Sequence, residues 1–156
     1  MQNDMLAKDP FDPAPCLRPD VTAHVTRGAM RLLADMGYAG LTEFHLPNGR
    51  RADLAGLNPK GHLLIIEVKS CREDFAIDMK WPDYIEYCDM FFFAVSTDFP
   101  QDILPENEGL ILADQFGGAM CRNARENPLA AARRKALTLA FARQAACRLA
   151  RSGTAT

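Results

Sequence analysis

Two apolar runs separated by a turn constrain this chain most. Residues 52–57 and 63–68 are split by Asn58-Pro59-Lys60-Gly61, so they read as the strands of a β-hairpin. The second run, Leu63 to Ile66, is a solid aliphatic block without polar alternation, the pattern of a strand buried on both faces. It nevertheless ends in Glu67, Val68 and Lys69. Side chains alternate along a strand, so Glu67 and Lys69 share a face. Asp53 interrupts the neighbouring run in the same way. Ionised groups at the edge of a core are costly unless paired or bound to metal.

Two arrangements meet that requirement. In one, an ion pair closes a strand end and Asp53 merely begins its strand. In the other, Asp53 and Glu67 are hard oxygen ligands for Mg²⁺ (or Mn²⁺), with the Val68 carbonyl as a third. Lys69 then holds an attacking water and stabilises charge on a phosphate.

The rest of the chain supplies the frame. Its 156 residues suit a single domain over residues 20–151, and 48% apolar with 24% charged residues is ordinary for a globular protein. No run reaches the roughly 18 apolar residues of a membrane helix, and no signal peptide is visible. Five cysteines with no Cys-x-x-Cys read as reduced thiols, so a cytoplasmic location is expected. The net charge of −2 hides an asymmetry: −9 over residues 1–120 and +7 over 121–156. That basic end can face phosphates, with Arg133, Arg134 and Lys135 as candidates, or can be the solvated face of an arginine-rich helix.

In chain order, the four prolines of residues 1–19 predict an extended or disordered arm. Asp20 is the expected N-cap of a helix carrying Val21, Val25, Ala29, Leu32 and Met36, ended by Gly37. Leu41 to Leu46 reads as a strand, turning at Pro47-Asn48-Gly49 into the Asp53 strand. A three-residue loop with Gly49 left-handed pairs 46 with 50 and sets Glu43 opposite Asp53, with Cβ atoms roughly 5 Å apart. A two-residue loop opposes Glu43 to Leu54 instead, on the other face. Glu43 is thus a conditional third carboxylate, or else an exposed strand charge.

Ser70-x-x-Glu73 is a capping box, so a helix starts directly behind the site. Asp74 and Asp78 share one of its faces, with no role fixed by spacing. A second short helix opens at Pro82. Lys80, Tyr84 and Tyr87 share one of its faces and can hold a phosphate and stack bases, or else Trp81, Tyr84 and Ile85 cover the sheet. Met90 to Val95 is another buried strand, expected parallel to the Glu67 strand after a helical crossover. A loop with one helical turn, strands at 109–113 and 119–122, and a helix from Asn127-Pro128 to about Arg151 follow. Leu137, Phe141, Ala145 and Leu149 form its packing stripe, and 152–156 is tail. The expected fold is an α/β sandwich around a mixed sheet.

Asp53, an apolar hairpin and Glu67-x-Lys69 resemble the PD-(D/E)XK nuclease superfamily, with Ala52 where the proline of that name stands. A longer set is more specific: Leu-Pro-Asn-Gly-Arg-Arg-Ala-Asp-Leu from Leu46, Ile-Ile-Glu-Val-Lys-Ser from Ile65, Asp74-Phe75, Asp78, Lys80-Trp81, Tyr84, Tyr87-Cys88-Asp89 and Phe92-Phe93-Ala94-Val95. Together these resemble the MmcB-like family of bacterial DNA-repair proteins, over most of the chain. The resemblance implies a restriction-endonuclease-like αβββαβ core and a metal-dependent DNA nuclease acting in repair. Asp53, Glu67 and Lys69 would be catalytic, with Mg²⁺ (or Mn²⁺) as cofactor. Arg51 and Lys80 join the DNA-binding candidates, and DNA and other repair proteins are the expected partners. A non-catalytic nucleic-acid-binding or scaffold protein on the same fold is the alternative.

Overall fold

The structure, a computed structural model, describes residues 18–77 and 80–153. Helix α1 (Arg18–Asp35) begins before Asp20, which lies in its first turn rather than capping it. At its other end the Tyr38 N–H donates to the Leu33 carbonyl and the Gly37 N–H to that of Ala34, with Gly37 at φ +85°. This is the glycine-dependent stop expected there.

Strands β1 (Ala39–His45) and β2 (Arg51–Leu57) form the first hairpin. The Leu46 N–H donates to the Arg50 carbonyl, and Gly49 is left-handed at φ +84°. The turn is therefore the three-residue form. β2 then pairs antiparallel with β3 (Leu63–Lys69), every residue of which is buried. Helices α2 (Arg72–Ile77) and α3 (Pro82–Ile85) carry the chain over to β4 (Met90–Val95), which lies parallel to β3. α2 starts after Cys71, one residue later than a Ser70 cap requires, and the Phe75 N–H donates to the Cys71 carbonyl. A single 3₁₀ turn (Gln101–Ile103) precedes β5 (Gly109–Ala113) and β6 (Gly118–Arg122). The six strands lie in chain order, β1 to β6, in one mixed sheet with an αβββαβ beginning.

Alternation divides the core between the two faces of this sheet. On one, Val25, Ala29 and Leu33 of α1 pack on Leu64, Ile66, Phe92 and Ala94. On the other, Tyr84 of α3 and Leu137 and Phe141 of α4 (Ala131–Gly153) cover Leu63, Ile65, Phe91 and Phe93. No helix among the described residues is long and apolar enough to cross a membrane.

Helix α4 departs from expectation at both ends. It starts at Ala131, not after Asn127, because the preceding segment is tied down elsewhere: the Asn127 N–H donates to the Asp89 carbonyl and the Leu129 N–H to the Asp89 carboxylate. Its packing stripe also stops short, with Leu149 75% exposed. The C-terminal half instead uses polar side chains to cover the open edge of β1. Gln144 bonds both the N–H and the carbonyl of His45, each at 2.9 Å, and Arg148 donates to the carbonyls of Thr42 and Glu43. An edge strand presents unpaired backbone groups, and α4 satisfies four of them here.

Candidate active site

Asp53 lies where β2 leaves β3. The ladder between the two strands runs from Leu57↔Leu63 to Leu54↔Ile66 and stops one residue short of an Asp53–Glu67 pair. Phase slips at the same point: Ala52 and Ala55 join one core cluster and Leu54 the other, whereas a regular strand would put 52 and 54 on one face. Side chains take over where the ladder ends. Glu67 Oε1 accepts the Asp53 N–H at 3.0 Å, and Asp53 Oδ2 accepts the Val68 N–H at 2.8 Å. Each carboxylate thus grips the opposite strand's backbone.

These bonds hold the carboxyl groups as neighbours. An aspartate's carboxylate is only about 4 Å from its own N–H by covalent geometry, so the pair lies within reach of one bridging metal or two. A residue in a strand sends its N–H and C=O to the same side, so the Val68 carbonyl also faces β2. Glu67 and Lys69 follow one another on the face of β3 that carries Leu63 and Ile65, and each is only 4% exposed. Among the described residues no three His, Cys, Asp or Glu side chains gather into a metal cage. Two carboxylates and a carbonyl are nonetheless all hard oxygen donors, and Mg²⁺ takes one or two carboxylates and keeps several waters. The donor set fits that ion.

The register places Glu43 level with Asp53, between Thr42↔Leu54 and Phe44↔Ala52. Glu43 itself is exposed, and its φ of +51° makes it the sole left-handed residue other than glycine among those described. Arg51 and Lys80 are exposed. Tyr84 is buried, stacks on Phe91, and donates its hydroxyl to the Arg51 carbonyl at 3.0 Å. Trp81 packs against Phe91 and Phe93. Both aromatics therefore cover the sheet. Asp74 belongs to α2, but its side chain, like the whole of Asp78, lies outside the described residues.

The basic triplet of α4 sits apart from this site. Arg134 makes two 2.7 Å bonds to the Asp89 carboxylate and another to the Gly61 carbonyl. Asp89 in turn accepts the Leu63 N–H at 2.8 Å. That anchors Arg134 at the start of β3, whereas Glu67 is four residues on, about 13 Å away at ~3.3 Å per residue. Arg133 lies over the Tyr87 ring at 4.8 Å and bonds the Glu86 carbonyl, while Lys135 is exposed. Sequence reasoning missed Asp89 as an organising residue. The available signal was a lone acid directly before the apolar run Met90–Val95. A second unforeseen cluster joins Tyr38, His62 and Glu126: the Tyr38 hydroxyl meets His62 Nδ1 at 2.9 Å, and His62 Nε2 meets Glu126 at 3.1 Å. Burial first, then the nearby Glu126 and Asp89 charges, pushes the Tyr38 phenol up, so it stays protonated.

The family model for the DNA repair protein MmcB-like group matches residues 12–156, nearly the whole chain. The chain belongs to the MmcB-like family of DNA repair proteins. A search of curated proteins found no match. Among solved structures, the SPO1766 protein of unknown function from Silicibacter pomeroyi is 41% identical and superposes with a TM-score of 0.82. The match covers 87% of this chain and 94% of that one, so the two share the α/β fold over the matched residues. Of the residues that carried the MmcB-like resemblance, Asp53, Glu67 and Lys69 lie at the splayed end of β2 and β3, and Asp89 lies at the opposite end of the same sheet.

Proposed function

We propose that this MmcB-like protein is a metal-dependent DNA nuclease of the PD-(D/E)XK type, acting in repair. The observation that carries this reading is the reciprocal grip of Asp53 and Glu67, which sets two carboxylates side by side where the sheet opens. Fold alone does not imply function, so the site's chemistry must bear the reading. Asp53, Glu67 and the Val68 carbonyl would hold Mg²⁺ or Mn²⁺. When bound, such an ion polarises a phosphate and lowers the pKa of a coordinated water. Lys69, following Glu67 on the same face, positions the attacking water and balances charge on the phosphate. Burial of Glu67 and Lys69 strengthens these electrostatic interactions relative to water. Arg51, on the strand that carries Asp53, and Lys80, before α3, are the exposed cations offered to the DNA backbone.

The same bonds favour a second reading. Both carboxylates replace lost ladder bonds, so a non-catalytic DNA-binding protein would keep them for structure alone. Incubation with single-stranded, duplex, flap and junction DNA in Mn²⁺ separates the two. The nuclease reading expects cleavage of at least one substrate, abolished in Asp53→Ala. Binding without cleavage on every substrate would leave the scaffold reading.

A further inference from the structure

We infer that Glu43 acts on the site through its backbone, and that Arg148 and Gln144 of α4 hold it in that conformation. The inference rests on the proposed metal site and assigns what positions it. Left-handed φ is rare for a long side chain and marks a functional constraint when the surroundings enforce it. Here Glu43 falls at the level where β2 slips in phase and parts from β3, while β3 itself runs on regularly beside β4. Thr42↔Leu54 and Phe44↔Ala52 pair normally on either side of it. At that same level β2 loses its phase and its ladder to β3 ends. A β1 residue in the extended region would continue its own ladder and hold Asp53 in register. The turned backbone at Glu43 releases Asp53 to accept the Val68 N–H and offer its own N–H to Glu67.

The enforcement comes from α4. Arg148 donates to the carbonyls of Thr42 and Glu43, and Gln144 brackets His45, so the kink is held from the sheet's outer edge. Phe141 packs on Phe44 at 5.7 Å and fixes the helix against the strand. Glu43 and Arg148 are positioning residues, and the Glu43 carboxylate is dispensable.

Two substitutions that both remove the carboxylate test this. Asparagine tolerates left-handed φ, whereas valine does not. Glu43→Asn should keep Mn²⁺ affinity, measured by calorimetry, within about threefold of wild type. Glu43→Val should weaken it by about tenfold or more, the scale on which residues supporting a metal site act. Arg148→Lys, which cannot bridge two carbonyls in a rigid fork, should fall between them. Hydrogen exchange of the Val68 amide in metal-free protein reads the geometry directly: protected in wild type and Glu43→Asn, exposed in Glu43→Val. Equal loss of affinity in the Asn and Val variants would make the carboxylate a ligand and overturn the inference, as would a Val68 amide indifferent to Glu43→Val. If wild type binds no Mn²⁺, the metal reading fails, and Val68 exchange still decides the positioning of Asp53.

Discussion

The Asp89 carboxylate and the Arg134 guanidinium meet in a two-pronged pair, both contacts at 2.7 Å, with Asp89 buried beneath the helix that carries Arg134. Burial alone would push this carboxyl up. The Arg134 bonds and the N–H groups of Leu63 and Leu129 outweigh it and hold the carboxyl at about 2. The unfolded value is ~3.9, so the folded group is the stronger acid. Its stabilisation is present above pH ~4 and is lost as pH falls from there toward 2, about 2 kcal/mol in all. Urea unfolding of wild type and Asp89→Asn across pH 2–7 should show the stability gap narrowing by that amount in acid. A gap that stays constant with pH would mean Asp89 titrates as an ordinary carboxyl.

Removing only the cation should be harsher than removing the pair. Arg134→Ala leaves a buried carboxylate without its counter-charge, a change that costs on the order of 3–5 kcal/mol. It also frees the segment before α4, whose Leu129 N–H shares the same carboxylate. We expect a lowered urea midpoint at pH 7 and acid unfolding that starts at higher pH than in wild type. Arg133→Ala, whose guanidinium rests on the half-buried Tyr87 ring, should cost under about 1 kcal/mol.

The sheet was legible because its signals are local. The aliphatic run Leu63–Ile66, the Asn-Pro-Lys-Gly turn and Gly49 each act through nearest neighbours, and they set the register that places Asp53 near Glu67. What escaped was decided at a distance. Asn127-Pro128 is a sound helix start, but bonds from Asn127 and Leu129 to Asp89 tie that segment down and α4 starts only at Ala131. Nothing about Glu43 favours left-handed φ; Arg148, 105 residues away, bonds its carbonyl. Arg134 looked like a phosphate ligand because charge was visible and its partner was not. Leu149 fits the helical stripe, yet among the described residues α4 meets no core at that end.

If the site is a nuclease centre, its three residues should separate by assay. Lys69→Ala should leave Mn²⁺ binding near wild type and abolish cleavage, because lysine contributes to the water and phosphate and not to the ion. Asp53→Ala should lose both. Calorimetric metal titration followed by nicking of labelled DNA reads the two properties independently. Equal metal affinity in wild type and Asp53→Ala would remove the catalytic reading. Because Asp53 also accepts the Val68 N–H, its loss should lower stability too, by about 1–2 kcal/mol. Asp53→Asn keeps an acceptor oxygen and serves as the control for that structural share.

DNA contact should follow position in the fold, not charge in the sequence. Arg51 stands two residues before Asp53 and is exposed, as is Lys80 before α3. Arg133 and Lys135 flank Arg134, whose anchor is the start of β3, the end opposite Lys69. Each phosphate contact releases counterions, so losing one lowers the slope of log affinity against log salt by about 0.9 on duplex DNA. For a short duplex we expect Arg51→Ala and Lys80→Ala each to reduce that slope by about one. Charge reversal at Arg133 and Lys135, with Arg134 kept so that Asp89 retains its partner, should change it little. Fluorescence anisotropy between 50 and 300 mM salt, a range over which a contact of this kind shifts affinity several-fold, makes the measurement. A slope that falls for the α4 pair and not for Arg51 and Lys80 would put the DNA path across the helix, away from Asp53 and Glu67, and would separate binding from the proposed chemistry.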